Sequence, residues 1–259
     1  MIHKTAIIED GAIIDESAEI GAYAYISSKV KIGANTKIHH HATIEGKTTI
    51  GQNNEIFPYA SIGTAPQDLK YNGEDTELII GNNNKIREFT LINTGTIQDN
   101  SKTIIGNNNL FMGYVHIAHD CAIGNSCIFA NAATLAGHVH VYDGAVIGGM
   151  TPIHQFVHIG SLAMVAGASA VSQDVPPFCM VEGNRAKLRG LNLTGLRRYF
   201  KDRNDIDEIK KAYKELFESK KPLKDMANEI LNKTDNIYVK KLCEFIIHSK
   251  RGIAYDRKM

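Results

Sequence analysis

The stretch Ile14-Asp15-Glu16-Ser17-Ala18-Glu19-Ile20-Gly21-Ala22-Tyr23-Ala24-Tyr25-Ile26 sets isoleucine at every sixth residue, with alanine four places after each of the first two. Followed in both directions, this step runs from Ile8 to Ile62 without a miss. The position four after the isoleucine stays small at Ala12, Thr36, Ala42, Thr48 and Ala60, with Val30 and Asn54 looser, and glycine often follows the isoleucine, as at Gly21, Gly33, Gly51 and Gly63. The frame continues at Ile80, Ile86 and Ile92, slips by one residue, and resumes from Ile105 and Phe111 through Ile117, Ile123, Phe129, Leu135, Val141, Ile147, Ile153, Ile159 and Val165 to Val171. A period of six is even, so it keeps the alternating side chains of a strand on one face, which a helix of 3.6 residues per turn would not do. Short strands that turn a corner in every hexad and stack coil on coil satisfy the pattern. This is a parallel β-helix, in which the large aliphatic residue points inward beside the small one. Three hexads per coil would set residues 18 apart directly above one another.

Two segments leave the frame. Thr64 to Leu78 and Gly95 to Lys102 are expected to be loops extruded from the prism, where function on a rigid solenoid tends to sit. After Val171, Asp174-Val175-Pro176-Pro177 should end the ladder, and a connecting segment runs to about residue 195. Three amphipathic helices follow. Asn204 and Asp205 are placed to cap the first, with Glu208 completing a capping box and Ile206, Ile209, Tyr213, Leu216 and Phe217 on one face. Pro222 opens the second, with Leu223, Met226, Ala227, Ile230 and Leu231 at helical spacing, and Tyr238, Leu242, Phe245 and Ile246 mark the third. The expected organisation is therefore mainly β: residues 1–184 form the hexapeptide-repeat β-helix domain and residues 185–259 a small C-terminal α-helical domain.

Composition agrees with a folded chain. Hydrophobic residues make up 43% of the 259 positions and charged residues 22%, which excludes global disorder. No run of apolar residues is long enough to be a transmembrane segment, and the first residues do not read as a signal peptide, so a cytoplasmic protein is expected. The cysteines, Cys121, Cys127, Cys179 and Cys243, have no paired spacing and are expected to be free, mostly buried thiols. The net charge of +1 hides a split: residues 1–184 carry 9 Lys and Arg against 17 Asp and Glu, and residues 185–259 carry 20 against 11. The basic C-terminal part calls for an acidic partner.

Six of the eleven histidines fall between residues 116 and 158. Histidine does not belong in a hexad core, so these rings should point outward. Stacking by 18 places Asp120 against His138 and His119 against Gly137, bringing the four residues into one patch. An imidazole beside a carboxylate makes a general base, and a backbone N–H at a glycine can receive an oxyanion. His140 and His158 should also stack, with no partner for chemistry, and His39-His40-His41 reads as surface. A metal site is the rival use of clustered histidines. His116 and His119 would need a third ligand from another coil or chain, and no cysteine pair or carboxylate is evidently placed to supply it, so no metal ligand is assigned.

The segments His116-Ile-Ala-His119-Asp120-Cys-Ala-Ile-Gly-Asn, Asn131-Ala-Ala-Thr-Leu-Ala-Gly-His138 and Gly148-Gly-Met-Thr-Pro-Ile-His154-Gln155-Phe resemble the UDP-N-acetylglucosamine O-acyltransferases that begin lipid A synthesis in Gram-negative bacteria. The resemblance covers essentially the whole length, including Gln67-Asp68-Leu-Lys70-Tyr, Gln173-Asp-Val-Pro-Pro and Gly190-Leu-Asn192-Leu-Thr-Gly-Leu-Arg-Arg198. It implies a left-handed parallel β-helix, although crossovers between parallel strands are nearly always right-handed and the period alone would favour that hand. It further implies a homotrimer with sites between neighbouring subunits, and transfer of a 3-hydroxyacyl group from acyl carrier protein to the 3-OH of UDP-N-acetylglucosamine, with no cofactor. By similarity His119 is the general base, Asp120 orients it, and the Gly137 N–H holds the thioester oxyanion. Substrate contacts carry over to Gln67, Asp68, Lys70, His116, His138, His154, Gln155, Asn192 and Arg198, the last on the nucleotide phosphates. Gly167 aligns with the position that limits acyl-chain length, and glycine leaves that groove open. The carrier protein is acidic and so gives the basic C-terminal part its partner. No aromatic and basic residues interleave as a nucleic-acid platform, and no nucleic-acid partner is expected.

The chain departs from the family pattern at Asn93-Thr94, where relatives carry His-Arg, at Arg185, where they carry histidine, and at Thr194, where they carry an acid. Some members acylate a 3-amino analogue and form an amide, so that acceptor is the alternative to the 3-OH sugar. Outside the acyltransferases, the competing readings are a metal-dependent lyase of the γ-carbonic anhydrase type on the same solenoid and a scaffold without activity.

Overall fold

The computed structural model describes residues 1–255, and the last four residues of the expected C-terminal domain lie outside them. Each hexad forms a strand of mostly two residues and a corner, and the strands assemble into three sheets of eight, eight and ten strands, parallel throughout except for the last strand of the third. The first sheet begins at Ile7–Ile8 and ends at Pro152–Ile153, the second runs from Ile13–Ile14 to His158–Ile159, and the third starts at Glu19–Ile20. One column in register joins Ile8, Ile26, Ile44, Ile62, Ile92, Ile117, Leu135 and Ile153. Its step is 18 residues except where Ile62 pairs with Ile92 and Ile92 with Ile117, and the surplus there is held by the two loops. The inward aliphatic column is almost wholly buried from Ala18 to Ala186.

The corners leave the third residue after the aliphatic one in the left-handed region. Asparagine suits that conformation at Asn35, Asn53, Asn83 and Asn108, but Tyr59, Phe89, Asp120 and His138 adopt it as well, at φ of 63, 59, 58 and 62°. Asn54 is no misfit among the small inward residues. Its Oδ1 accepts from the N–H and Nδ2 of Asn84, whose Oδ1 accepts from the N–H of Asn109, so a buried amide ladder links three coils. A second ladder runs outside, where Asn82, Asn107, Asn125 and Asp143 each accept from the backbone N–H one coil below.

The loops occupy residues 65–76 and 94–101: the first lies inside its expected limits, because Thr64 ends strand Ser61–Thr64 and buried Leu78 lies in strand Glu77–Ile80, and the second is set one residue earlier than expected, because Lys102 opens strand Lys102–Ile105. Asp174-Val175-Pro176-Pro177 does not end the ladder at once. Val175 still bridges Ile159, accepting from the Gly160 N–H and donating to the His158 carbonyl. The segment expected to be a simple connection holds an antiparallel pair, Cys179–Glu182 with Lys187–Leu191, and the helix α1, Leu193–Tyr199. The pair straddles residue 184.

Three further helices follow: α2 at Arg203–Glu218, α3 at Leu223–Leu231 and α4 at Ile237–His248. Helix α2 starts earlier than its sequence suggests, because Asp202 caps it through the Asn204 N–H and Asp205 instead accepts from Asn236 Nδ2. Pro222 directly precedes α3 as its N-cap. The helices share a core of Leu196, Ile209, Leu216, Ala227, Leu242 and Ile246 with Phe178 from the β-helix end. Buried Asp174 fastens the two parts, accepting from the His158 N–H at 2.8 Å and the Ser249 hydroxyl at 2.6 Å. All four cysteines are free and buried. Among the described residues no helix is long and apolar enough to cross a membrane.

Candidate active site

Both loops leave the prism at the edge between the first and second sheets, and the same edge carries His119-Asp120, Gly137-His138 and Gln155-Phe156 on successive coils. A cleft of about 920 Å³ lies there, lined from the first loop by Gln67, Asp68, Leu69 and Lys70, from the second by Gln98 and Asp99, and from the prism by Asn93, Ala118, His119, Ala136, Gly137, His138, Gln155 and Phe156. The coil spacing that predicts one patch for His119, Asp120, Gly137 and His138 holds: the His138 N–H donates to the His119 carbonyl at 3.0 Å.

His119 Nδ1 lies 2.8 Å from Asp120 Oδ2. An ionised carboxylate only accepts, so Nδ1 carries the proton and Nε2 keeps its lone pair. Asp120 is 1% exposed. Burial by itself pushes its carboxyl up, but hydrogen bonds from His119 and Thr96 outweigh that and hold it below the ordinary carboxylate range. Thr96 donates through its N–H at 3.0 Å and through its hydroxyl at 2.6 Å, while the Asp120 N–H is taken by Thr103 Oγ1. The second loop therefore locks the carboxylate that orients the base. Across the cleft, Asp68 Oδ2 comes within 3.9 Å of His119 Nε2.

Gly137 is required by this packing. A Cβ there would sit 2.5 Å from Cε1 and 2.6 Å from Nε2 of His119. Among the described residues no acceptor meets its N–H, which is thus available to a ligand. His138 stacks on Phe156 at 4.4 Å and meets the His119 ring edge-on at 5.0 Å.

Of the remaining residues expected at the site, Gln67, Asp68, Lys70, His138 and Gln155 line the cleft, whereas His116, His154, Gly167, Asn192 and Arg198 do not line it within one chain. His116 is half-buried, with Nδ1 unpartnered among the described residues and its pKa pushed down by burial. Asn192 caps α1, accepting from the Gly195 N–H while its Nδ2 donates to the Leu162 carbonyl. Arg198 is exposed in the last turn of α1, and His154 is exposed on its corner. Gly167 has a φ open to any residue, and a Cβ there would make only ordinary contact at 3.4 Å with Gly149 O, so its backbone does not demand glycine. Asn93 is buried on the cleft wall, donating to Thr64 Oγ1 and Ala65 O, with Oδ1 unpartnered.

Sequence reasoning passed over Thr96, Gln98, Asp99 and Phe156. The frame slip between Ile92 and Ile105 marks the second loop, but the path that returns Thr96 to Asp120 has no periodic signal. His119, Asp120 and His138 also offer ligand atoms within 4.8 Å of one another, so a carboxylate does lie where a metal site would need one. Its Oδ2 already accepts from Thr96 and His119, and its Oδ1 from the Thr96 N–H.

Comparison with known proteins places this geometry. A family model described as UDP-N-acetylglucosamine O-acyltransferase, domain 2, matches residues 174–254, and one described as bacterial transferase hexapeptide (six repeats) matches residues 5–46 and 102–137. The acyl-(acyl-carrier-protein)–UDP-N-acetylglucosamine O-acyltransferase of Aliarcobacter butzleri is 65% identical over 99% of both chains, and that of Sulfurimonas denitrificans 69% identical over 99% of this chain and 98% of its own. The structure of UDP-N-acetylglucosamine acyltransferase from Campylobacter jejuni superposes with a TM-score of 0.96 at 49% identity, covering 99% of this chain and 100% of that one. The chain belongs to the acyl-(acyl-carrier-protein)–UDP-N-acetylglucosamine O-acyltransferase family.

Proposed function

We propose that the protein transfers a 3-hydroxyacyl chain from the thioester of acyl carrier protein to the 3-OH of UDP-N-acetylglucosamine, the first step of lipid A biosynthesis. The observation that carries this reading is the His119–Asp120 pair, whose Nε2 lies beside Gly137, the N–H of which has no acceptor among the described residues. The sugar hydroxyl oxygen bonds to the thioester carbon as its proton passes to Nε2. Negative charge develops on the former carbonyl oxygen, and the Gly137 N–H receives it. Collapse breaks the C–S bond, and the imidazolium returns the proton to the departing thiolate sulfur. Asp120 stabilises the cationic ring throughout and keeps the same nitrogen facing the reaction.

The active form is a homotrimer, which gives the expected contacts outside one chain's cleft a route to it: His116, His154, Gly167, Asn192 and Arg198 reach substrate in clefts between neighbours. Supporting this, Tyr23, Tyr59, Phe89 and Tyr114 form an exposed ring ladder along another edge, a patch of the kind that marks association surfaces. Light scattering should give three times the 28.5 kDa chain mass. A cytoplasmic site of action fits four cysteines kept as buried thiols. The basic C-terminal part meets the acidic carrier protein, where complementary charge chiefly speeds encounter.

The decisive experiment supplies UDP-N-acetylglucosamine and its 3-amino analogue together with a mixed pool of 3-hydroxyacyl carrier proteins, and weighs the product. An O-acylated sugar nucleotide is expected. An amide would move the chemistry to the amino sugar, and no product from either acceptor would overturn the reading.

A further inference from the structure

Asp99 lies in the second loop, outside every motif of the sequence. Three residues before it, Thr96 grips Asp120. Asp99 itself reaches across the cleft to the next coil, placing Oδ2 2.9 Å from Nδ1 of His138. The two nearest ionised carboxylates to that nitrogen are Asp99 and Asp120, and Asp120 Oδ2, at 4.0 Å, is beyond hydrogen-bond reach and already filled by Thr96 and His119. Among the described residues only Asp99 is placed to fix the proton of His138. A lone imidazole exchanges its proton between two nitrogens, and an acceptor at one of them selects a single tautomer and ring orientation.

We propose that Asp99 is a positioning residue for the acyl-transfer reaction. It accepts the Nδ1–H of His138 and so presents Nε2, which has no partner among the described residues, as an acceptor for a substrate hydroxyl or amide N–H in the cleft. The site then holds two imidazole–carboxylate pairs, with rings 5.0 Å apart at 89°. His119–Asp120 moves the proton, and His138–Asp99 aligns the substrate that gives it up. Phe156, stacked on His138 at 4.4 Å and nearly parallel to it, holds the plane of the ring, and Asp99 selects between the two flips that keep the stack. Because Asp99 arrives on the loop whose Thr96 binds Asp120, one loop sets both pairs.

This inference rests on the acyl-transfer reading, and its test separates the two. Steady-state kinetics with UDP-N-acetylglucosamine and a 3-hydroxyacyl carrier protein would be measured for the full-length protein and for Asp99→Ala, Asp99→Asn, His138→Ala and the Asp99→Ala/His138→Ala double variant. Losing the carboxylate that orients an imidazole should lower kcat/KM roughly tenfold in Asp99→Ala. Asp99→Asn should recover most of it, since its amide oxygen accepts the same N–H. In the His138→Ala background, Asp99→Ala should cost nothing more, because the two act as one unit. Melting temperatures should match, as Asp99 is an exposed loop residue. Full activity in Asp99→Ala, or losses that multiply in the double variant, would overturn the positioning role while leaving acyl transfer intact. A natural-sequence protein that turns over nothing would bring down both.

Discussion

Two edges of the same prism carry stacked rings, and they differ in what the rings can do. Between the third and first sheets, Tyr23, His41, Tyr59, Phe89 and Tyr114 stack nearly parallel, coil over coil, with centroids 4.9 to 5.3 Å apart. Between the first and second sheets, His138 lies flat on Phe156 but meets His119 at 89°. The backbone at the two edges is the same, since Tyr59 and His138 occupy equivalent corner positions at φ of 63 and 62°. What differs is the second corner residue and what is inserted beside it. Gly137 opens a space that the His119 ring fills, and the two loops wall the edge and bring Thr96, Asp99 and Asp68 to the rings. The hexad thus fixes the inward residues and the corner geometry, and leaves the second and third corner positions free to be packing on one edge and chemistry on another.

The largest effect should come from removing the base. His119→Ala is expected to lower kcat by about 10²–10⁴-fold while the melting temperature stays within a few degrees, because the ring lies outside the inward column. A fold that failed along with activity would mean the two edges are not separable in this way.

Next comes the residue that opens the active edge. In Gly137→Ala the new Cβ must displace the His119 ring, and a misplacement of about 1 Å can cost roughly 10²-fold in rate. Kinetics with an intact circular-dichroism spectrum would check it. A fully active Gly137→Ala would show that the ring can move aside at no cost and that the contact is incidental.

Stability should respond elsewhere. Asn84→Ala removes the middle rung of the buried amide ladder, leaving the Gly106 carbonyl and the Asn109 N–H without their partner, at a cost of about 3 kcal/mol. Chemical denaturation would read the loss, and turnover per folded molecule should be unchanged.

The smallest effect should be that of pH. Burial pushes the pKa values of His116, His140 and His158 down. In the unfolded chain these rings take up protons near pH 6.5, whereas the folded state resists them. The unfolded state then binds more protons, so stability falls as the pH drops through about 6.5 and is flat above it. Melting curves between pH 8 and 5.5 would show the slope, and His158→Gln should reduce it. Asp120 acts in a lower window: its depressed pKa adds stability that is present above its unfolded value and lost as the pH falls through the folded one.

Much of this was legible along the chain. The step of six names the inward residues one by one, and the step of 18 by itself brings Asp120 to His138 and His119 to Gly137. Helix α2 shows where local reading slipped, since Asn204 and Asp205, with Glu208 three residues after Asp205, fit the capping pattern, and only the path of the preceding chain makes Asp202 the cap. Helix α1 was missed because its seven residues include Gly195 and carry too little periodicity to stand out. Asp99 and Thr96 were invisible for a related reason. A loop that has left the repeat has no register, so nothing in its residues says which coil it returns to.

By itself, then, the sequence determined the parallel β-helix, the coil length, the identity of the core and the pairing of His119 with Asp120, because an even period repeated over many coils admits one way of burying its aliphatic residues. The left hand of the coil is implied by the family resemblance alone, against the right-handed preference of parallel crossovers. Tertiary structure alone decided that both loops wall the edge of the histidine-bearing corners, that Thr96 donates to the oxygens of Asp120, and that Asp99 reaches His138. Those contacts join residues 24 and 39 positions apart through a loop outside the repeat. Their distances are set by how the chain leaves and rejoins the prism, which no local pattern encodes.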